Sequence, residues 1–297
     1  MGPVIHSHLL RRELRQRREA LGLTQAAVAK TFGWSSAKMI RLEQGTSLID
    51  GVNLQSLLGK YGIADEVEVA HLQGLAQGAK QDGWWHKYKQ AIPPNRLTYN
   101  SLTANLMTYA GYTMGATRIL QAELNTVPEL LQIPEYTKTY TQNVYGSGRA
   151  EAHLTANFLQ QHQTELGQQP DPPEQLYVLD EAVLRCHVGI RTNPYIMPEQ
   201  LLHLAERARD PHIEVAIVPF STHIHEGSVG PGKLVELAMG LGSILYQKDE
   251  IITDNVRGGW EVEAYRHAFD ERRSEALPPE RSIDLITHIA ETMLSEL

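Results

Sequence analysis

The chain has a single cysteine, Cys186, among its 297 residues. No disulfide framework can form within it, so its folding must rest on a hydrophobic core, and that cysteine usage fits a reducing cytoplasm. Long apolar runs are missing as well. The longest weakly polar stretch, Val235 to Tyr246, is about a dozen residues, short of the roughly 20 that a membrane helix needs. No charged-then-apolar leader opens the sequence, and the expectation is a cytoplasmic protein with no membrane partner. Positive charge is scarce too: 27 Lys and Arg against 35 Asp and Glu give a net charge of −8, which taken whole argues against a nucleic-acid binder.

Catalytic and metal-binding spacings are equally sparse. There is no HExxH and no CxxC pattern. His223-x-His225-Glu226 is the most suggestive cluster, with His187 and His212 elsewhere, but a metal needs three or four convergent ligands. The Gly227 to Gly232 stretch lacks the lysine and serine or threonine of a phosphate-binding loop, and reads as a loop into a strand. Asp180 and Glu181, as neighbours on a strand, would point to opposite faces. No enzyme, no metal and no cofactor are therefore expected.

What is present concentrates at one end. Residues 1–45 hold eight Lys and Arg (Arg11, Arg12, Arg15, Arg17, Arg18, Lys30, Lys38, Arg41) against Glu13, Glu19 and Glu43, or +5, leaving −13 for the other 252 residues. A small basic head on an acidic body is the split expected of a protein whose head meets phosphates. A solvated arginine-rich helix face accounts equally well for Arg11 and Arg12. Length and a 42% hydrophobic content suit two domains. Asp82-Gly83 breaks the helical pattern, which divides the chain into 1–80 and 81–297.

The head has the pattern of a helix-turn-helix. Thr24 suits an N-cap, and Val28, Ala29 and Phe32 share one face of a helix over Gln25 to Phe32. Gly33 permits the turn, Ser35 or Ser36 caps the next helix, and Met39 and Leu42 point back to the core. Ser36 with Ile40, and Ala37 with Arg41, are then the outward pairs that a recognition helix shows to the major groove. A fourth helix fits Leu54 to Tyr61 and a fifth Asp65 to Gln77.

Six positions (Arg18, Gly22, Gln25, Gly33, Glu43, Gly45) coincide with the phage-repressor, or Xre-type, helix-turn-helix family, which residues 9 to about 63 resemble. The resemblance implies a compact five-helix domain, a phosphate contact from Gln25 and a partly buried ion pair between Arg18 and Glu43. It implies base reading from Ser36, Ala37 and Arg41, with Ser35, Lys38 and Ile40 in the same DNA-facing set. Ile40 stands where a polar residue is common, and 36 and 37 are small. Arg41 is thus the main candidate for a hydrogen bond to a base edge, whereas Ala37 and Ile40 offer only apolar contact with thymine methyls.

In the body, 101–125 and 150–166 read as helices, with a turn and short helix at Pro128 to Gln132 and a Pro-rich loop at Gln168 to Pro173. Four strands follow from alternation and β-branching: Leu176 to Leu184, Ile213 to Pro219, Lys233 to Met239 and Ser243 to Gln247, the last two a hairpin about Gly240 and Gly242. Helices fit Pro198 to Arg209, Glu261 to Glu275 and Ser282 to Leu294. The expected fold is an all-α head and a mixed α/β body, its sheet of about four strands covered by helices. Trp84, Trp85 and Tyr88 form either a ligand-stacking platform or, preferably, an interdomain seam.

The body resembles an uncharacterised domain that follows the helix-turn-helix in a large family of actinomycete regulators. The likeness is carried by Pro128-Glu129-Leu130-Leu131-Gln132-Ile133 before Tyr136, by Leu179-Asp180-Glu181-Ala182-Val183-Leu184-Arg185 and by Met197-Pro198-Glu199-Gln200-Leu201. Val218-Pro219-Phe220, His225-Glu226-Gly227 and Ala276-Leu277 extend it, while Thr113 stands where a glutamate is usual. It implies a transcriptional regulator of a family often encoded beside a small partner protein. One short recognition helix gives little affinity alone, so the expectation is a homodimer on double-stranded DNA, with the body sensing a small-molecule ligand or a small protein partner. The alternative is an antitoxin-like interaction protein that holds such a partner and autoregulates its own operon.

Overall fold

The computed structural model describes residues 2–45, 47–89, 104–222, 230–247 and 260–297. The chain divides into two compact units, Met1–His86 and Lys87–Leu297.

The first unit is built from α1 (Pro3–Ala20), α2 (Gln25–Thr31), α3 (Ser36–Gln44), α4 (Gly51–Lys60) and α5 (Glu66–Gly78), with the single turn α6 (His86–Lys89) beginning at its last residue. Local chemistry sets the starts. Pro3 occupies the first turn of α1, where a missing N–H costs nothing. Thr24, Ser35, Asp50 and Asp65 each accept a bond from the backbone N–H three residues on, at 3.1, 3.2, 2.9 and 2.8 Å. Ser35, not Ser36, is therefore the cap of α3. Gly33 (φ 65°) and Gly45 (φ 77°) take the left-handed conformation that closes α2 and α3. Ile5, Leu14, Val28, Met39, Leu54, Leu57 and Leu58 are at most 1% exposed and form the core. Phe32 stays at its edge, its ring 5.0 Å from that of Trp34.

The second unit runs α7 (Ala104–Thr113), β1 (Ala116–Glu123), a 3-10 turn (Glu129–Leu131), α8 (Pro134–Tyr145), α9 (Arg149–Gly167), β2 (Glu174–Asp180), α10 (Glu181–Arg185), α11 (Ile196–Arg207) and β3 (Ile213–Val218). Next come β4 (Gly232–Leu237), a 3-10 turn (Ala238–Gly240), β5 (Ser243–Gln247), α12 (Trp260–Ser274) and α13 (Pro279–Ser295). The sheet has five strands in the order β3-β2-β1-β4-β5. Strands β1, β2 and β3 are parallel, β4 is antiparallel to β1, and β5 is antiparallel to β4. One face packs Tyr177, Leu179, Val215 and Ile217 against α11 and α13; the other packs Leu120, Ala122, Val178 and Leu234 against Val262, Tyr265 and Phe269 of α12.

Three expectations are corrected here. The sheet has five strands rather than four, because 101–125 is not one helix: α7 stops at Thr113 and β1 begins at Ala116. As the central strand, β1 is buried on both faces from Ile119 to Glu123, so its pattern does not alternate and mimics a buried helix. The strand expected over Leu176 to Leu184 ends at Asp180, whose carboxylate accepts the Ala182 N–H at 2.9 Å and caps α10. Asp180 and Glu181 are accordingly a cap and a first helical residue, not strand neighbours. Among the described residues no helix is long and apolar enough to cross a membrane.

Candidate nucleic-acid interface

The head presents α3 by fixing it at both ends. At its C-terminal end the Arg18 guanidinium, from α1, reaches Glu43 through Nε to Oε1 at 2.5 Å and Nη2 to Oε2 at 2.9 Å. Both side chains are buried, 8% and 4% exposed, and the fork-to-carboxylate match gives the pair its geometry. The hydrogen bond to Glu43 is the main reason the Arg18 pKa lies above the ordinary arginine value, outweighing burial, which lowers it. Burial, with Glu43 adding to it, raises the nearby Tyr61 hydroxyl pKa. Gln25 completes the network, its Nε2 donating to Glu43 Oε2 at 2.8 Å. One carboxylate thus ties together α1, α2 and α3, and Arg18 also closes the turn before α2 by donating to the Leu23 carbonyl at 2.8 Å.

A second arginine does related work. Arg11 Nη1 donates to the Gln44 carbonyl at 2.5 Å, at the negative end of the α3 dipole. The Gly45 backbone lies so close that a Cβ there would sit 1.8 Å from Arg11 Nη1. Glycine suits 45 for its positive φ, and a side chain there would also push the Arg11 guanidinium away from the Gln44 carbonyl. A solvated arginine face was one of the two readings of Arg11; the structure buries it. Arg11 lies on a different helix, 33 residues from the Gln44 carbonyl it bonds, which leaves no local signal.

With α3 held this way, Ser36, Ala37, Ile40 and Arg41 lie on its exposed side, Ile40 at 37%. Gln44 joins that strip, three residues after Arg41 and four after Ile40. Sequence reasoning missed it, although helical spacing alone finds it. Ser35 is spent on capping, and Lys38 is half-buried with Nζ 4.2 Å from the centroid of the Trp34 ring, a cation–π contact. Elsewhere on the head, Arg17 pairs with Glu68 and Arg15 with Glu19 at 2.8 Å.

The remaining sequence candidates are more scattered. Trp84 and Trp85 meet edge to face with centroids 5.5 Å apart. Tyr88 has partners in its own unit: its ring meets Phe158 at 5.3 Å and its hydroxyl donates to Gln161 Oε1 at 2.9 Å. His223, His225 and Glu226 lie outside the described residues. Among the described residues no group of three or more His, Cys, Asp or Glu could hold a metal.

An exposed helix strip behind a capped turn, on a rigid helical platform, defines the head as a helix-turn-helix domain. In agreement, residues 9–72 match the helix-turn-helix domain family. Residues 106–288, more than half of the chain, match the family described as a domain of unknown function, DUF5753, and the chain belongs to that family. Neither the curated proteins nor the solved structures contain a match.

Proposed function

We propose that this chain is a cytoplasmic, sequence-specific DNA-binding transcriptional regulator, active as a homodimer, whose second unit senses a small molecule or partner protein. The observation that carries the reading is the α3 strip of Ser36, Ala37, Ile40, Arg41 and Gln44, held out from the head by buried anchors at Glu43 and Arg11. Arg41 and Gln44 supply hydrogen bonding suited to guanine and adenine edges, while Ala37 and Ile40 suit thymine methyls. The Gln25 amide has two N–H groups; Glu43 takes one, and the other serves a backbone phosphate. One short helix gives little affinity, so two heads reading half-sites one helical turn apart, or a multiple of it, supply the rest.

The test is selection from a random duplex pool by the purified full-length chain, repeated with a metabolite extract. The expected result is an enriched motif with two related half-sites. A pool left unenriched overturns DNA reading, and a monomer by sedimentation, both free and on the selected duplex, overturns the dimer.

A further inference from the structure

The outward strip of α3 is divided by chemistry. Arg41 and Gln44 carry groups that bond a base edge, whereas Ile40, 37% exposed, has none. Ala37 lies three residues before Ile40 and Ser36 four before it, so helical spacing puts all three in one patch. Short side chains at 36 and 37 let that part of α3 approach a surface closely, and Ile40 then reaches beyond them. Met39 and Leu42, 0% and 6% exposed, fill the core side of the helix, and Ile40 is no part of that core. It is also stiff. A β-branched side chain in a helix keeps essentially one χ1 rotamer, so contact costs it little conformational freedom.

The surroundings of this apolar patch fit DNA. Glu43 is the one carboxylate between Gln25 and Gln44, and it is buried on the Arg18 guanidinium. The other charged residues of α2 and α3 are Lys30, Lys38 and Arg41, all positive. An isoleucine flanked by cations is matched to a groove walled by phosphates.

In the major groove the apolar substituent on a base edge is the C5-methyl of thymine. Set against a base nitrogen or oxygen, Ile40 would displace water and return no hydrogen bond, leaving a polar group unsatisfied. That methyl is not peculiar to thymine. 5-Methylcytosine carries it at the same place and differs at position 4, where isoleucine has nothing to bond. Ser36, the polar neighbour in the patch, carries a hydroxyl that accepts from an N4 amine as readily as it donates to O4.

We infer that Ile40, backed by Ala37, reads the C5-methyl group of a pyrimidine rather than the identity of the base. One position of each half-site then takes thymine or 5-methylcytosine and discriminates against unmethylated cytosine. A site with cytosine there is bound more tightly once it is methylated, which makes cytosine C5-methylation a regulator of this head. The methyl reading deepens the DNA reading proposed above and rests on it.

The experiment takes the duplex selected by the full-length chain and changes one methyl group at a time, with competition binding as the readout. Uracil in place of each thymine in turn removes a methyl and no hydrogen-bonding group. At one thymine of each half-site affinity should fall about fourfold, the worth of one buried methyl, and about fifteenfold when both half-sites are changed. A C·G pair at the same position should gain the same factor when its cytosine is methylated at C5. Both ratios should approach one in Ile40→Ala, a truncation at an exposed position that spares the core, and should be unchanged in Lys30→Ala. No uracil-sensitive position, a uracil effect without the matching gain from 5-methylcytosine, or ratios that persist in Ile40→Ala overturns the methyl reading while the selected motif stands. A pool left unenriched overturns the DNA reading and the methyl reading with it.

Discussion

The two units bury charge in opposite ways. In the head, Glu43 accepts two bonds from Arg18 and one from Gln25, and a second arginine, Arg11, is bonded to the end of α3. In the body, Gln121 donates to two carboxylates, and among the described residues its own carbonyl oxygen has no partner. A closed network fixes geometry, since any motion breaks a charge-assisted bond in a dry environment. An open one leaves a buried acceptor unsatisfied at a cost in stability. A helix held out for docking needs the first.

The largest expected effect tests closure in the head. Glu43→Ala strands the Arg18 guanidinium beneath α3, and removal of one partner of a buried pair costs about 3–5 kcal/mol. Chemical unfolding followed at Trp34 measures it. A loss below about 1 kcal/mol, the range of exposed pairs, would mean that Glu43 does not organise the head.

Next comes readout. Arg41→Ala should cost about 1–3 kcal/mol on the selected duplex and relax preference at one position of each half-site. Competition binding with single-base variants decides it, and unchanged discrimination removes Arg41 from base contact. Gln44→Ala checks the residue that only the structure added to the strip.

The body has a pH signature that the head's ion pair lacks. His162 is fully buried, its Nε2 2.6 Å from the Thr113 hydroxyl, and burial depresses its pKa from 6.5 to about 3. The unfolded chain binds that proton more readily than the folded one. The stability is therefore complete above pH 6.5 and is lost as pH falls from there toward 3, by about 2 kcal/mol at pH 5. Unfolding of the second unit followed between pH 7 and 5 should show this slope, and His162→Gln should flatten it. A slope that survives the substitution places the titrating group elsewhere.

Legibility in the sequence followed the range of the interactions. The caps at Thr24 and Ser35, the glycine stops at 33 and 45 and the inward Met39 and Leu42 were readable because each acts within one turn. Arg18 and Glu43, 25 residues apart, were found only through a family resemblance, since two charges that far apart leave no periodic trace. Arg11, bonded to Gln44 33 residues away, left no local trace for the same reason. In the body β1 was hidden because burial on both faces erases alternation, and α8 was missed behind the turn at Pro128 to Gln132. The Gln121 cluster was invisible: it exists only once β1 and β4 are in register and a 3-10 turn lies over them.

The smallest effect is the most discriminating, because Gln25 belongs to both the platform and the surface. Gln25→Ala removes one of three bonds on Glu43 and leaves the Arg18 fork in place. Stability should fall by about 1 kcal/mol, the worth of one net hydrogen bond, well short of the Glu43→Ala loss. A phosphate contact carries no sequence information, so affinity should drop by one common factor on selected and scrambled duplexes, with a shallower salt dependence of binding absent because the amide is neutral. Fluorescence anisotropy on the two duplexes at several salt concentrations reads the affinities and their salt dependence, and chemical unfolding reads the stability. A loss confined to the selected duplex would make Gln25 a base reader, and a loss of stability equal to that of Glu43→Ala would make the closed network depend on the amide rather than on the ion pair.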